Sequence, residues 1–362
     1  MALFVDTIEC NVICVLCSVC RDLNILRKLY DTLLIDECAQ ATEPACVGVA
    51  WRASQVVLCG DHAQLPPSTQ HPWLRRSLLE RMSTVPGLVV TVLDTQYRML
   101  PEIAQWPSEY FYEASLKSFR PACSTESLVP GFAWPSRKPV AFVHVQGREM
   151  SEGTSRKNKA EVEKILQLVD GFVKRGRVPA TDIGVITPYS AQRNELIRKL
   201  PRECVVGSVD AFQGREQRLV IVSLVRSNDD YAYGFFSEAR RLNVAVTRAQ
   251  DGLIVVGNGP FWYWATDSSH SLVKHLWNEY SFVGECESWY AARPPQKQHV
   301  VKEAASQVRF TRNTFSGLRL SEADLAEVRT DVRLALVALL DDPSFVKAWP
   351  HVMCLPAHID GV

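Results

Sequence analysis

Apolar residues gather along this chain in short continuous runs rather than in alternating patterns. TLLID (32–36), QVVLCG (55–60), LVVTVL (88–93), PVAFVHV (139–145), DIGVITP (182–188), LVIVSLV (219–225) and GLIVVG (252–257) are rich in β-branched residues, and each is bounded by turn residues or by a helical pattern. Strands that are apolar throughout are covered on both faces, so these runs predict a parallel sheet with helices on each side. Between them the apolar positions change to helical spacing. Lys157 to Lys174 sets Val162, Ile165, Leu166, Val169 and Val173 on one stripe, Ser190 to Lys199 does so with Leu196 and Ile197, and Ser237 to Arg248 is a third case. Strands alternating with helices define an α/β protein.

Two stretches break the pattern. Residues 118–138 are rich in Pro, Ser, Gly and Arg and have no periodicity, which predicts a linker between two α/β domains. A second change falls near 290, at AARPPQKQ; beyond it one helix is predicted, from about Ser321 to Leu340, with Ser321 three residues before Asp324 as an approximate capping box. The expected partition is a first domain over 1–117, the linker 118–138, a second domain over 139–287 and a C-terminal extension over 288–362. No internal repeat is visible.

Length and composition sharpen this picture only slightly. The 362 residues exceed one ordinary core and suffice for two domains plus an extension. Lys and Arg number 40, as do Asp and Glu, so no global charge argues for a polyanion partner, although a local basic groove remains open. An apolar content of 47% excludes a disordered chain. Eleven cysteines invite a metal or disulfide reading. The densest group, Cys10, Cys14, Cys17 and Cys20, lies inside the apolar run NVICVLCSVC, with no Cys-x-x-Cys pair downstream, and both buried packing and a metal site stay open for it. The odd count and the poor signal peptide point to a reducing compartment, cytoplasmic or nuclear. No stretch of about 18 apolar residues predicts a membrane span.

Candidate chemistry begins at the end of TLLID, where Asp36 and Glu37 stand side by side. Mg²⁺ prefers oxygen ligands and is held by one or two carboxylates plus substrate phosphates, and a strand tip in a parallel sheet offers such carboxylates to a ligand. Asp36 suits the metal and Glu37 suits the activation of a water. The next strand ends in GDHAQLPP, where Gly60, Asp61 and Gln64 form a polar loop and the Gln64 amide can sense a phosphate oxygen. DTQYRMLP then offers Tyr97 to stack on a base and Arg98 to meet a phosphate.

DECAQATEP, GDHAQLPP, QYRMLPEIAQWPSEYFYEASL, IGVITPYSAQRNEL, VDAFQGREQRLVIVSLVRSN and RRLNVAVTRAQDGLIVVGN resemble successive motifs of a superfamily 1 helicase, in the group that contains the nonsense-mediated-decay helicase and senataxin. The resemblance runs from about Asn11 to about Glu285 in the family's order. It implies two RecA-like domains that clamp ATP between them and grip single-stranded nucleic acid, with 5′-to-3′ movement; no residue decides between RNA and DNA. It also implies roles. Asp36 resembles the magnesium-binding acid, Glu37 the catalytic base, Gln64 the γ-phosphate sensor, Tyr97 the adenine-stacking ring and Arg98 an arginine reaching the γ-phosphate. Gly214 and Glu216 match the motif that approaches the nucleotide, with Glu216 at the ribose, and Arg248 matches the arginine finger. Pro188, Tyr189, Gln192, Ser208 and Asp210 resemble positions near the nucleic-acid strand, and Arg226 a position linking that strand to the ATP cleft.

One part of the pattern is missing. A P-loop reads G-x-x-x-x-G-K-[ST], because backbone N–H groups and a lysine cradle the phosphates, and the 362 residues contain no Gly-Lys dipeptide. The family sets that loop well upstream of the acid pair, so the expectation is a chain that starts late in the first RecA-like domain, as a truncated gene model or fragment. The competing expectation is a non-catalytic module derived from a helicase that binds nucleic acid or protein. Protein partners through the C-terminal extension are a further expectation.

Overall fold

The computed structural model describes residues 14–17, 29–264, 268–279 and 281–284. Most of the Cys10–Cys20 run, the helix expected over Ser321–Leu340 and the whole extension 288–362 lie outside them. Packing divides the chain into two units.

The first unit runs to His62 and resumes over Pro66–Val89. It holds β1 (Tyr30–Ile35), α1 (Glu43–Ala50), β2 (Ala53–Leu58) and α2 (Leu78–Met82). β1 and β2 pair in parallel, with Ile35 opposite Leu58. Leu33, Ile35, Val56 and Leu58 pack with Cys38, Cys46, Val47 and Leu78. Alternate residues point the other way, so Leu34 is 61% exposed. Among the described residues these two strands are therefore covered on one face only. The strand expected over LVVTVL (88–93) does not form either. Val89 and Leu93 are 94% and 88% exposed, and no described strand lies beside the segment to take its backbone groups.

The second unit takes Ala63–Leu65 and continues from Val90. Residues 90–117, read from sequence with the first domain, thus pack with the second unit. In chain order it holds β3 (Thr95–Gln96), α3 (Pro101–Phe111), β4 (Lys117–Ser118), β5 (Val140–His144), β6 (Met150–Glu152), β7 (Ser155–Lys157), α4 (Lys159–Asp170), β8 (Ile183–Ile186), α5 (Ser190–Lys199), β9 (Val205–Gly207), α6 (Val209–Phe212), β10 (Gln217–Ser223), α7 (Ala239–Val246), β11 (Ala249–Gly257), α8 (Gly259–Tyr263), α9 (Ser268–Asn278) and β12 (Phe282–Val283). Six strands form one parallel sheet in the order β12-β5-β11-β10-β8-β9.

Here the continuous apolar runs mean what they predict. Successive residues of β10 go to opposite faces, Val220 and Val222 to one, Leu219 and Ile221 to the other. β11 does the same with Leu253 and Val255 against Ile254 and Val256. One face packs on Val162, Ile165 and Val169 of α4 with Leu196 of α5. The other packs on Leu242 and Val246 of α7, Trp262 of α8 and Ile103 of α3. The α/β class is therefore as expected. α4 starts two residues later than the periodicity suggests, because Asn158 caps it and accepts from the Glu161 N–H, and it runs on through a wider turn over Gly171–Arg175. Ile197, placed on the apolar stripe of α5, is instead exposed. The segment 118–138 has no long element, yet Val129 and Trp134 are buried in the α4-side core, and the Trp134 indole donates to the Val129 carbonyl at 2.7 Å.

Glu161 is a fully buried acid in this sheet-and-helix layer. Burial pushes its carboxyl up to about 8, against hydrogen bonds from Ser223 and the Val225 N–H that favour the charged form, and the nearby Glu149 carboxylate adds to the rise. The folded chain thus keeps a proton that an unfolded glutamate releases near 4.5. The stability linked to that proton is full below the unfolded value and is lost as pH rises through the folded one. Denaturant midpoints are expected to fall between about pH 5 and 8.5, and Glu161→Gln should flatten that fall. The same pH slope in both proteins would contradict this.

Candidate functional site

Asp36 and Glu37 follow directly on β1 and both are exposed. The Cys38 N–H donates to the Cys59 carbonyl and the Cys59 N–H to the Ile35 carbonyl, so the tips of β1 and β2 are tied together beneath the acids. Glu37 has a φ of 51°, a left-handed conformation uncommon for a residue other than glycine. One oxygen of Asp36 accepts the Glu37 N–H at 2.9 Å, and one oxygen of Glu37 accepts from the Gln40 side chain at 2.8 Å. Two exposed hard-oxygen donors fit a Mg²⁺ held mainly by water and phosphate. No group of three or more His, Cys, Asp or Glu suited to a metal occurs among the described residues.

In the second unit, the strands' two ends carry different candidates. Glu216 immediately precedes β10 and Arg248 immediately precedes β11. Both therefore lie at the N-terminal edge of the parallel sheet. Arg98 joins them there. Its Nε donates to Glu216 at 2.6 Å, and one terminal nitrogen donates to the Thr247 carbonyl at 3.1 Å. Gln250 donates to the other Glu216 oxygen at 2.7 Å. The Arg98 hydrogen bond, against slight burial, holds the Glu216 carboxyl below the usual range. Arg120 fixes the backbone of this cluster, donating to the carbonyls of Arg98 and Gln250 and to Asp251. Tyr97 is 66% exposed and meets the Phe119 ring at 4.9 Å. Gly214 has a φ of 73° with open space where a Cβ would stand, so conformation rather than crowding selects glycine there.

Arg248 is the surprise of this edge. It is 3% exposed. Its guanidinium turns inward, to the Val244 carbonyl at 3.0 Å, the Thr247 hydroxyl at 3.0 Å and the Arg215 carbonyl at 3.5 Å. Gln64 is half-buried, and beside it the Ala63 carbonyl accepts from the buried Asn243 amide at 3.0 Å. Asn243 lies on α7, the helix that leads to Arg248.

The opposite, C-terminal edge of the sheet carries Pro188, Tyr189, Ser208, Asp210 and Arg226, after β8, β9 and β10. β10 has seven residues, so Arg226 and Glu216 stand roughly 20 Å or more apart. The Arg226 Nε donates to Glu149 at 2.8 Å, and a terminal nitrogen donates to the Tyr189 hydroxyl at 3.4 Å. Burial opposes the charge on Glu149, but hydrogen bonds from Asn228, Arg226 and the Ser227 N–H outweigh it and hold the carboxyl below the usual range. Gly234 closes over this pair; a Cβ there would stand 2.2 Å from the Tyr189 hydroxyl. Ser208 caps α6 through its hydroxyl, and Asp210 is exposed.

Two of the residues expected near the strand are buried at this edge. Gln192 is fully buried, accepting from the Asn158 N–H at 2.9 Å and donating to the Ser223 hydroxyl at 2.9 Å. An amide in the first turn of a helix reads as surface from sequence, but here two neighbouring elements enclose it. Tyr189 is buried as well, with its hydroxyl on Arg226. Gln250, Arg120, Glu149 and Asn243 were not singled out by sequence. Gln250 directly follows the VTRA motif, which was a usable signal; Glu149 lies in no motif.

Parallel α/β sheets, one with acids at a strand tip and another with arginines gathered at its edge, belong with the P-loop-type nucleotide-driven proteins. Two family models described as AAA domain match the chain, over residues 6–71 and 74–260. Regulator of nonsense transcripts 1 homologs of Drosophila melanogaster and Arabidopsis thaliana are 41% identical over 268 residues and 39% over 271, covering 68% and 70% of this chain. The ATP-dependent helicase NAM7 of Saccharomyces cerevisiae is 38% identical over 271 residues, 69% of this chain. The chain belongs to the superfamily 1 helicases, in the group of regulator of nonsense transcripts 1. It spans about a quarter of the length of these curated relatives, 22% of the first two and 27% of the third. A solved complex of arterivirus nonstructural protein 10 (helicase) with DNA is similar over 67% of this chain and 41% of that one, at 15% identity and a TM-score of 0.35, too loose a likeness to bear on mechanism. No helix among the described residues is long and apolar enough to cross a membrane.

Proposed function

We propose that these residues form part of an ATP-driven motor that moves 5′ to 3′ along single-stranded RNA or DNA. The observation that carries this reading is the separation of the candidates between the two edges of one sheet. Those read as nucleotide-facing, Glu216 and Arg248 with Arg98 and Tyr97, gather at one edge, and those read as strand-facing, Pro188, Ser208, Asp210 and Arg226, lie at the other. β10 runs from one group to the other, a physical path between hydrolysis and the strand.

In this reading Asp36 holds the magnesium, Glu37 takes a proton from the attacking water, and Gln64 senses the γ-phosphate. Tyr97 stacks on the base, and Glu216 meets the ribose beside Gly214. Arg98 moves from Glu216 onto phosphate oxygens, which suits a half-exposed pair whose net attraction in water is small. Arg248 exchanges main-chain carbonyls for the γ-phosphoryl oxygens as charge builds there. Tyr189 and Gln192 shape the strand-side edge from inside. The C-terminal extension 288–362 is kept as a surface for protein partners.

Turnover also needs a cradle for the phosphates, and these residues hold no Gly-Lys dipeptide, so tests belong in the full gene product. There Arg98→Ala should lower kcat/KM for ATP about a hundredfold. An unchanged kcat/KM would mean that Arg98 serves only its ion pair with Glu216.

A further inference from the structure

The turn that follows β10 is built in an unusual way. The Arg226 N–H donates to the Leu224 carbonyl at 2.7 Å, a three-residue turn with Val225 at its centre at a φ of 67°. Turns of this form are rare and strained, and a β-branched side chain at positive φ is an outlier. Both peptide groups of Val225 are held from below. Its N–H donates to Glu161 at 2.9 Å, and its carbonyl accepts from the Asn158 amide at 3.3 Å. The same Glu161 oxygen accepts the Ser223 hydroxyl at 2.7 Å, so one buried carboxyl group grips the last residue of β10 and the centre of the turn. Gln192 braces the assembly, joining the Asn158 N–H to the Ser223 hydroxyl. Glu161, Asn158 and Gln192 are all fully buried. The next residue after the strained one is Arg226.

We propose that Glu161, with Asn158, is a positioning residue that holds Val225 in its strained turn and thereby aims Arg226 at Tyr189 and Glu149, so that strand binding is coupled to ATP turnover. The coupling half of this rests on the reading of Arg226 above. Strain kept by a buried clamp is stored in a bistable element, and release of the clamp lets the turn relax and the guanidinium leave.

The test uses the full gene product. Glu161→Ala should leave basal ATP hydrolysis within about twofold and cut the stimulation by single-stranded RNA by about tenfold or more. Glu161→Gln keeps an oxygen that can accept from both Ser223 and Val225 and should retain most of the stimulation. Adding Val225→Gly to Glu161→Ala should restore it, because glycine takes a positive φ without steric cost; Val225→Gly alone controls for the lost apolar burial. Native-state hydrogen exchange reads the turn directly. The Val225 amide should exchange about a hundredfold faster in Glu161→Ala while Ile221 in β10 stays protected. Equal loss of basal and stimulated turnover, no restoration by glycine, or unchanged Val225 exchange would each overturn the proposal. Full stimulation in Arg226→Ala would refute the reading of Arg226 instead, and the exchange rates would still decide whether Glu161 holds the turn.

Discussion

Glu37→Gln in the full gene product is expected to keep ATP binding and to lower turnover about 10²- to 10⁴-fold, the usual contribution of a general base. The side chain stays the same size, so the packing of the strand tips beneath it, through the Cys38–Cys59 and Cys59–Ile35 backbone bonds, has no reason to change. What is lost is the carboxylate to which the proposed mechanism gives the proton of the attacking water. The Gln40 contact survives in the variant, because an amide oxygen still accepts from Gln40. The left-handed backbone at Glu37 costs on the order of 1–3 kcal/mol, and such strain persists mainly where geometry has a use. Pre-steady-state binding and steady-state phosphate release separate the two effects. Turnover near the unsubstituted rate would remove Glu37 from the base role.

Arg248→Ala is expected to slow hydrolysis about 10³- to 10⁵-fold while changing ATP affinity far less, because a guanidinium that meets charge developing on the γ-phosphoryl group acts in the transition state. The inward position of Arg248 makes this a demanding claim. Its nitrogens already serve the Val244 and Arg215 carbonyls and the Thr247 hydroxyl, so the finger has to leave those partners on the way to the transition state. Alanine also strands those carbonyls, and some loss of stability comes with it. Arg248→Lys separates the two roles. A lysine can donate to one carbonyl and restore part of the stability, but it lacks the planar fork and should recover little turnover. A collapse of ATP affinity with kcat intact would make Arg248 an ordinary binding residue.

The second unit's sheet was legible because its strands are buried on both faces. Continuous runs such as LVIVSLV have one physical reading in that environment, and Val220 and Ile221 do go to opposite cores. LVVTVL carries the same signal and forms no strand, since a strand needs a neighbour as well as a composition. The candidate site was legible as motifs and illegible as contacts. Arg98 and Glu216 are 118 residues apart, and nothing local announces that they pair. Gln192 and Glu161 look like helix surface because they are themselves polar, and only the crossing of α4, α5 and the end of β10 buries them. The one local hint was the Asn158-to-Glu161 spacing, a helix-start signature in which the glutamate serves the tertiary structure rather than the cap.

The most direct measurement is phosphate release from ATP by the full gene product, with Mg²⁺, in the presence and absence of single-stranded RNA or DNA, alongside Glu37→Gln. The account predicts turnover that rises when the strand is added and vanishes in Glu37→Gln. Binding of the strand with no ATP turnover in either protein would contradict it and would assign these residues to a non-catalytic binding module.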